Sequence, residues 1–273
     1  QPNPITSSAN ISDYNGYNIA CNPDVNGATL EGIVSGGADG VDMSTYLWST
    51  LETTTTISSL TAGNYTLSVQ DNNGCPFSED FIITQPDPIV ANVTTTETTC
   101  NETVDGTATV NHTGGVGPFS YIWSDGQSYS IATGLAGDIA LAGGMPYTVS
   151  LTDANSCPGG TATGYVISPE PITSTFAGYI PVVCFGASTG VLSGISSTGG
   201  ANTGYLYSID GGPFVPALPS YNGLSAGSFT VVAQDVNGCL GTTVETITQS
   251  SPIDPNLDIL DSTTCLGQTD GIL

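Results

Sequence analysis

The chain has 273 residues, 24 Asp and Glu side chains, no Lys or Arg and a single His, which gives a formal net charge of −24. Nucleic acids and anionic membrane surfaces are held mainly through Lys and Arg, so we expect neither as a partner. No apolar run reaches the roughly 18 residues that a spanning helix requires, so we predict no direct membrane insertion.

A five-residue signature, D-x-N-[GS]-C, occurs at residues 71–75, 153–157 and 235–239. A second cysteine series recurs at a similar interval of roughly 80 residues, which is typical of a repeat array. Proline-containing segments such as "QPDPIV" recur in step and are predicted to be linkers. The predicted domains are three repeats at 1–86, 87–169 and 170–251, and the start of a truncated fourth at 252–273, so we expect a piece of a longer chain.

Each repeat shows the same elements in chain order. A Cys-x₅-Gly segment precedes an alternating strand such as residues 107–113, and a Gly-Gly break precedes an aromatic strand. Residues 60–71 form a half-buried strand, the signature forms a turn, and a last strand such as 78–86 follows. Because no segment keeps a 3.6-residue apolar period, we predict an all-β fold, a tandem array of small Ig-like β-sandwich repeats of about 80 residues stapled by disulfides.

The ordered pattern C-x₅-G, GG, Y-x-W, L-x-A-G-x-Y-T-[LV], D-x-N-G-C and Q-P resembles the SprB-type repeat of gliding-motility adhesins from the Bacteroidetes. Tyr207 replaces the Trp in one copy and Ser156 replaces the Gly in another. The PKD-type immunoglobulin-like repeat is also similar, but it lacks the paired cysteines. The SprB resemblance implies a large protein of the bacterial cell surface, exported by type IX secretion and acting in adhesion or as a filament.

Two cysteines in each small repeat indicate disulfides and an oxidising, extracellular environment. The favoured interpretation is pairing within each repeat, which leaves Cys265 with a partner beyond the fragment. In a simple antiparallel sandwich, an odd number of intervening strands would instead place Cys21 near Cys157 of the next repeat, and the sequence leaves this alternative open. The predicted disulfide residues are Cys21, Cys75, Cys100, Cys157, Cys184 and Cys239.

Enzymatic chemistry has few candidates, and we predict that the protein is not an enzyme and has no catalytic residues. His112 occurs in one repeat only and is interpreted as an exposed strand residue. No organic cofactor is predicted, and calcium is the one candidate ion, because carboxylates at turns attract hard cations. The candidate ligands are Asp71, Asp153 and Asp235, and the alternative for each is a turn with a solvated carboxylate.

The aromatic strand pairs are expected in the core, as in other small sandwiches. The alternative is a carbohydrate-binding platform formed by Tyr46, Trp48, Tyr121 and Trp123. A short "DST" segment resembles an O-glycosylation motif of the same bacterial group and makes Ser262 a candidate glycan acceptor. The favoured function is a stalk or filament-forming segment of an adhesin, whose partners are copies of itself, neighbouring repeats or surface polysaccharide.

Overall fold

The computed structural model describes residues 3–24, 26–139 and 143–254, and within these ranges every regular element is a β-strand. The described residues contain no helix long and apolar enough to cross a membrane. The predicted fold class is confirmed: the chain is all-β and consists of small Ig-like sandwiches in tandem. Each sheet is built from strands of a single predicted repeat.

Repeat 1 contains two three-stranded sheets, ordered β1-β2-β4 and β3-β5-β6. Repeat 2 contains the corresponding sheets β10-β8-β7 and β12-β11-β9. The strands of repeat 1 are β1 Asn3–Ile11, β2 Ala28–Gly37, β3 Val41–Trp48, β4 Thr56–Leu60, β5 Gly63–Asp71 and β6 Pro76–Ile83. The strands of repeat 2 are β7 Val90–Thr96, β8 Gly106–Thr113, β9 Ser120–Trp123, β10 Ile131–Leu135, β11 Met145–Thr152 and β12 Pro158–Val166.

Repeat 3 divides the same framework into shorter strands. Its sheets are β13-β16, β14-β15-β19 and β18-β17-β20-β21, all with antiparallel pairing. The strands are β13 Thr173–Thr175, β14 Gly178–Ile180, β15 Gly190–Ser193, β16 Ser196–Thr198, β17 Leu206–Ile209, β18 Val215–Pro216, β19 Ser220–Leu224, β20 Gly227–Gln234 and β21 Leu240–Ile247.

The chain forms two compact units. The first contains Gln1–Thr98 and Glu102–Ser168, and therefore repeats 1 and 2 almost entirely. The second contains Thr99–Asn101 together with the described residues from Pro169 onward. The exact domain bounds 1–86, 87–169 and 170–251 stay a prediction. Of the predicted fourth repeat, 252–273, all but residues 252–254 lie outside the described residues.

Each repeat has its own core, formed by alternate residues of the central strands. In repeat 1, Leu67 and Val69 of β5 pack with Trp48, which is 1% exposed. Repeat 2 places Val149, Leu151 and Trp123 in the same way, and repeat 3 uses Val231, Ala233 and Tyr207. Successive side chains of a strand point to opposite faces, so this two-residue alternation follows directly from strand geometry.

The two ends of repeat 1 are defined by the strand register. At the entry end, the start of β1 and the end of β2 meet, since Asn3 pairs with Gly37, and β5 finishes there at Asp71. At the exit end, Gly63 of β5 pairs with Ile83, the last residue of β6. The eight residues of β6 therefore run from one end of the sandwich to the other, a length of about 25 Å.

Candidate functional site: the cysteine-linked junctions

The signature turn at the entry end of each repeat is organised by its buried aspartate. Asp153 is 6% exposed, and its Oδ1 accepts hydrogen bonds from the amides of Asn155 and Cys157, both at 2.9 Å. Its Oδ2 accepts a hydrogen bond of 3.0 Å from the amide of Val116, the residue directly after the Gly-Gly pair. The carboxylate thus joins the signature turn to the Gly-Gly turn that precedes the aromatic strand.

The same three-donor arrangement recurs in the other repeats. Asp71 accepts from the amides of Ala38, Asn73 and Cys75 at 2.9–3.0 Å. Asp235 accepts the equivalent bonds, the shortest being 2.7 Å from Ala201. Hydrogen bonds from the Cys75 and Ala38 amides hold the pKa of Asp71 below its usual value, because they favour the charged carboxylate.

The alternative prediction of a solvated carboxylate is wrong for these three aspartates, because all of them are only 5–6% exposed. Backbone amides already donate hydrogen bonds to the carboxylate oxygens that a cation would have to bind, and this favours a structural role for the carboxylates. Within the described ranges, no group of three or more His, Cys, Asp or Glu side chains is placed to hold a metal ion. Calcium binding at Asp71, Asp153 and Asp235 stays a prediction.

The Gly-Gly turn is held against the linker that enters each repeat. Gly114 has a φ of 72°, in the left-handed region that favours glycine, and a Cβ there would collide with the carbonyl of Pro88. The next residue, Gly115, donates its amide to the Asp87 carbonyl at 3.0 Å. The linker is therefore fixed to the entry end of the repeat that follows it.

Two disulfides link successive repeats in a staggered pattern. Cys21, from the first cysteine series of repeat 1, bonds Cys157, from the signature of repeat 2, with a Cα–Cα distance of 5.4 Å. Cys100 of repeat 2 bonds Cys239 of repeat 3, again with a Cα–Cα distance of 5.4 Å. Each bond lies within one compact unit, since Thr99–Asn101 belong to the second unit.

The favoured prediction of pairing within each repeat is therefore wrong, and the alternative that the parity of the strands left open is correct. Cys75 follows the signature turn at the entry end of repeat 1. The Cys21 loop is at the exit end, because Ile19 donates its amide to the Thr84 carbonyl just after β6, at 3.0 Å. The length of β6 separates the two cysteines, whereas a disulfide requires Cα atoms within about 7 Å.

The strand count misled this prediction because two successive strands run in the same direction. Four strands, β2 to β5, lie between Cys21 and Cys75, and an even count would return both to one end. However, β3 starts at the entry end, and β4 also runs toward the exit end, since its last residue Leu60 pairs with Ala28 at the start of β2. The chain therefore reverses direction only twice between β2 and β5, and Cys75 lies at the opposite end of the repeat from Cys21.

The signature asparagine adds polar contacts to the first junction. The Asn155 side chain donates to the Ala20 carbonyl at 3.2 Å and accepts from the Asn15 amide group at 2.6 Å. The Cys157 sulfur lies 3.0 Å from the same Ala20 carbonyl. The sequence indicated only a turn role for this asparagine, and its recurrence in all three signatures was the available signal for more.

The signature cysteines of the two bonded junctions are buried and their partners Cys21 and Cys100 are half-buried, whereas the remaining two cysteines are exposed. Cys157 and Cys239 are 3% and 5% exposed. Within the described part of the chain, Cys75 and Cys184 are free thiols and both are exposed. The predicted pairs of Cys75 with Cys21 and of Cys184 with Cys239 are therefore wrong, and Cys265 lies outside the described residues.

The carbohydrate platform predicted as an alternative is contradicted by burial of the aromatic pairs. Tyr46, Trp48 and Trp123 are each at most 2% exposed, and Tyr121 is half-buried. The indole N–H of Trp123 donates to the Tyr129 carbonyl at 2.8 Å, and that of Trp48 makes the equivalent bond to a backbone carbonyl. Tyr46, Trp48 and Trp123 are therefore core residues with no aromatic face open to a sugar, and Tyr121 packs against the edge of the repeat 2 core.

His112 is half-buried and not fully exposed as the sequence suggested. Its Nε2 lies 3.0 Å from the Tyr121 hydroxyl, and its ring centroid is 4.0 Å from that of Phe119. This environment is an aromatic cluster at the edge of the repeat 2 core. The glycosylation candidate Ser262 lies outside the described residues.

The geometry defines a tandem array of small all-β domains linked by disulfides from one repeat to the next. The sequence profile of the SprB repeat matches residues 92–128, which include Cys100, β8 and β9. The resemblance predicted from the residues is therefore confirmed over that segment. A search of curated protein sequences finds no match.

Solved structures of tandem domains show weak similarity. The three N-terminal domains of the Hoc outer capsid protein of bacteriophage RB49 are 16% identical, with 90% of this chain and 99% of that chain covered and a TM-score of 0.40. A segment of a 1.5-MDa bacterial ice-binding adhesin is 17% identical, with 91% and 99% covered and a TM-score of 0.35. Titin domains I67–I69 are 13% identical, with 82% and 92% covered and a TM-score of 0.34.

Proposed function

We propose that the chain is a stalk segment of a secreted bacterial surface adhesin, in which disulfides between repeats limit how far the stalk can extend under force. The SprB match supports a structural repeat of an adhesin and an extracellular, cell-surface location. Type IX export and a role in gliding rest on that match alone. The staggered pairing of Cys21 with Cys157 and of Cys100 with Cys239 carries the mechanical proposal.

The bonds shorten the covalent route along which tension passes. With both bonds intact, the shortest route leads from Asn3 to Cys21, crosses to Cys157, runs back to Cys100, and crosses to Cys239 before reaching Asp254. It contains about 90 residues, or roughly 310 Å when extended at about 3.5 Å per residue. Without the bonds, about 250 residues would extend to roughly 880 Å.

The two bonds overlap, because the segment from Cys100 to Cys157 lies inside both loops. Removing the Cys21–Cys157 bond leaves a route through Cys100 and Cys239, which adds only about 20 residues, or roughly 80 Å. Removing the Cys100–Cys239 bond adds a similar length. Removing both adds about 160 residues, or roughly 560 Å. One bond therefore protects against most of the extension that loss of the other would allow.

Single-molecule stretching of the whole chain tests this mechanism. The variants are Cys21→Ser with Cys157→Ser, Cys100→Ser with Cys239→Ser, and all four together, measured against the unreduced chain. We expect each pair to lengthen the fully extended chain slightly and the four substitutions to lengthen it several times more. Additive gains of similar size would contradict the overlapping route and, with it, the proposed mechanical role.

A further inference from the structure

Cys75 and Cys184 are the two open halves of the same junction that is closed twice inside the chain. Cys75 belongs to the signature series of Cys157 and Cys239, and Cys184 belongs to the series of Cys21 and Cys100. Both closed junctions join one member of each series. The two exposed thiols are therefore complementary in kind, and neither is a solitary surface cysteine.

The backbone around each open cysteine matches its bonded equivalents. Asp71 accepts the Cys75 amide at 2.9 Å, as Asp153 and Asp235 do for the two bonded signature cysteines. On the other side, Val182 donates to the Thr248 carbonyl at 2.9 Å, just after the last strand of repeat 3. Cys184 is thus held at the exit end of its repeat, as Cys21 is in repeat 1.

A depression of about 850 Å³ opens beside Cys75 at the entry end of repeat 1. Its lining includes the apolar side chains of Pro4, Ile5 and Phe77 as well as Cys75 itself. At the corresponding end of repeat 2, the loop that carries Cys21 contacts Asn155 through Asn15 and Ala20. The depression is therefore where a loop of the Cys184 type would lie.

The residues beside the open cysteines differ from those beside the bonded ones in a matched way. Cys184 is flanked by Val183 and Phe185, which are 71% and 57% exposed, whereas Asn follows both Cys21 and Cys100. Phe77 lines the depression near Cys75, whereas Gly occupies its position in repeats 2 and 3. An apolar loop thus corresponds to an apolar depression, and burial of these groups would favour their contact.

We propose that Cys184 of one chain forms a disulfide with Cys75 of a second copy, so that chains join exit end to entry end. A small-molecule disulfide such as oxidised glutathione supplies the oxidising equivalents. One cysteine thiolate attacks it, which forms a mixed disulfide and releases one glutathione thiolate. The second cysteine thiolate then attacks the first cysteine's sulfur in the mixed disulfide and releases the second glutathione thiolate. The two protons lost by the cysteines end on the two glutathione thiols, so each protein disulfide consumes one oxidised glutathione.

This inference extends the proposed stalk function by giving it a means of joining in series, and it rests on that function for its biological purpose. Its chemistry can be tested separately, because stretching reports bonds within one chain whereas the present test reports bonds between chains. Failure of one measurement therefore leaves the other interpretable.

The test uses full chains carrying Cys265→Ser, which removes the remaining cysteine of the first series. A Cys75→Ser chain and a Cys184→Ser chain are each incubated alone and then mixed in a glutathione redox buffer. We expect covalent dimers mainly in the mixture, containing one chain of each kind. Non-reducing gels and mass spectrometry of unreduced peptides identify the bond, with a protease other than trypsin because the chain has no Lys or Arg.

The result that supports the proposal is a peptide pair linking Cys184 to Cys75. Equal yields of Cys75–Cys75 and Cys184–Cys184 bonds would overturn it as random oxidation, and monomers only would overturn it as well. Phe185→Asn, which restores the residue of the closed junctions, is expected to slow linking on the order of tenfold. An unchanged rate would contradict the matching of the apolar surfaces. An unaltered far-ultraviolet circular dichroism spectrum shows that each variant remains folded, since both tryptophans, Trp48 and Trp123, lie outside repeat 3.

Discussion

Removing the Cys21–Cys157 bond is expected to destabilise the first compact unit through its unfolded state. The bond closes a loop with a sequence separation of 136 residues. Loop-closure entropy for that length corresponds to about 5 kcal/mol at 25 °C, which is the upper part of the range for native disulfides. We therefore expect Cys21→Ala with Cys157→Ala to lower the free energy of unfolding by about 3–5 kcal/mol.

The chain offers a matched control with the same number of substitutions. Cys75→Ala with Cys184→Ala removes two exposed thiols that make no disulfide, and this should change stability by less than about 0.5 kcal/mol. Guanidinium titration followed by tryptophan emission reads the first unit directly, because Trp48 and Trp123 are buried in its two cores. Equal losses in the two pairs, or a greater loss in the control, would refute the staggered connectivity.

Four further predictions concern the turn, its charge and the aromatic core. Asp153→Ala removes three amide hydrogen bonds and should cost roughly 3 kcal/mol in the same titration, whereas Asn at this position should recover part of the loss. In the folded chain the pKa of Asp71 lies below its ordinary value of 3.8. The contribution of this carboxylate to the free energy of unfolding is therefore complete above pH 3.8 and is lost as the pH falls below that value. Asp71→Asn should therefore weaken the acid dependence of unfolding, and an unchanged slope would contradict this assignment. Gly114→Ala should lower the free energy of unfolding by more than about 1 kcal/mol, because Ala is strained in the left-handed region and its Cβ would clash with the linker. An unchanged free energy of unfolding would disprove the fixed linker. Addition of polysaccharide should leave the emission of Trp48 and Trp123 unchanged, since both are buried; a saturable shift would restore the binding hypothesis.

Local patterns in the sequence predicted the elements whose cause is local. The alternation of Tyr65, Leu67 and Val69 gave the strand observed as β5, and the aromatic strand places Trp48 in the core as expected. Turn chemistry located the signature turns. These features depend on residues within a few positions of each other, and one sequence contains that information.

Features that depend on distant contacts were predicted poorly. The proline-containing segments that recur in step with the repeat were predicted to be linkers. In the first repeat, however, the equivalent segment, "QPNPIT", runs into β1, whose residues Asn3–Ile11 pair along β2. A solvated aspartate in the signature turn was the alternative to a calcium ligand. Asp71 is buried instead, and the sequence did not show this because one of its hydrogen-bond donors, the amide of Ala38, comes from a turn more than thirty residues away. The cysteine pairing depended on the direction of β4, which no local pattern specifies.

The staggered bonds also determine what happens when the backbone is cut. A single cleavage anywhere between Cys21 and Cys239 leaves two pieces that are still joined by at least one disulfide. Between Cys100 and Cys157, where the loops overlap, two disulfides hold the pieces together. Proteases that cut after Lys or Arg find no site at all in the chain. A surface protein built in this way would keep its outer part after a single nick by another protease anywhere between Cys21 and Cys239.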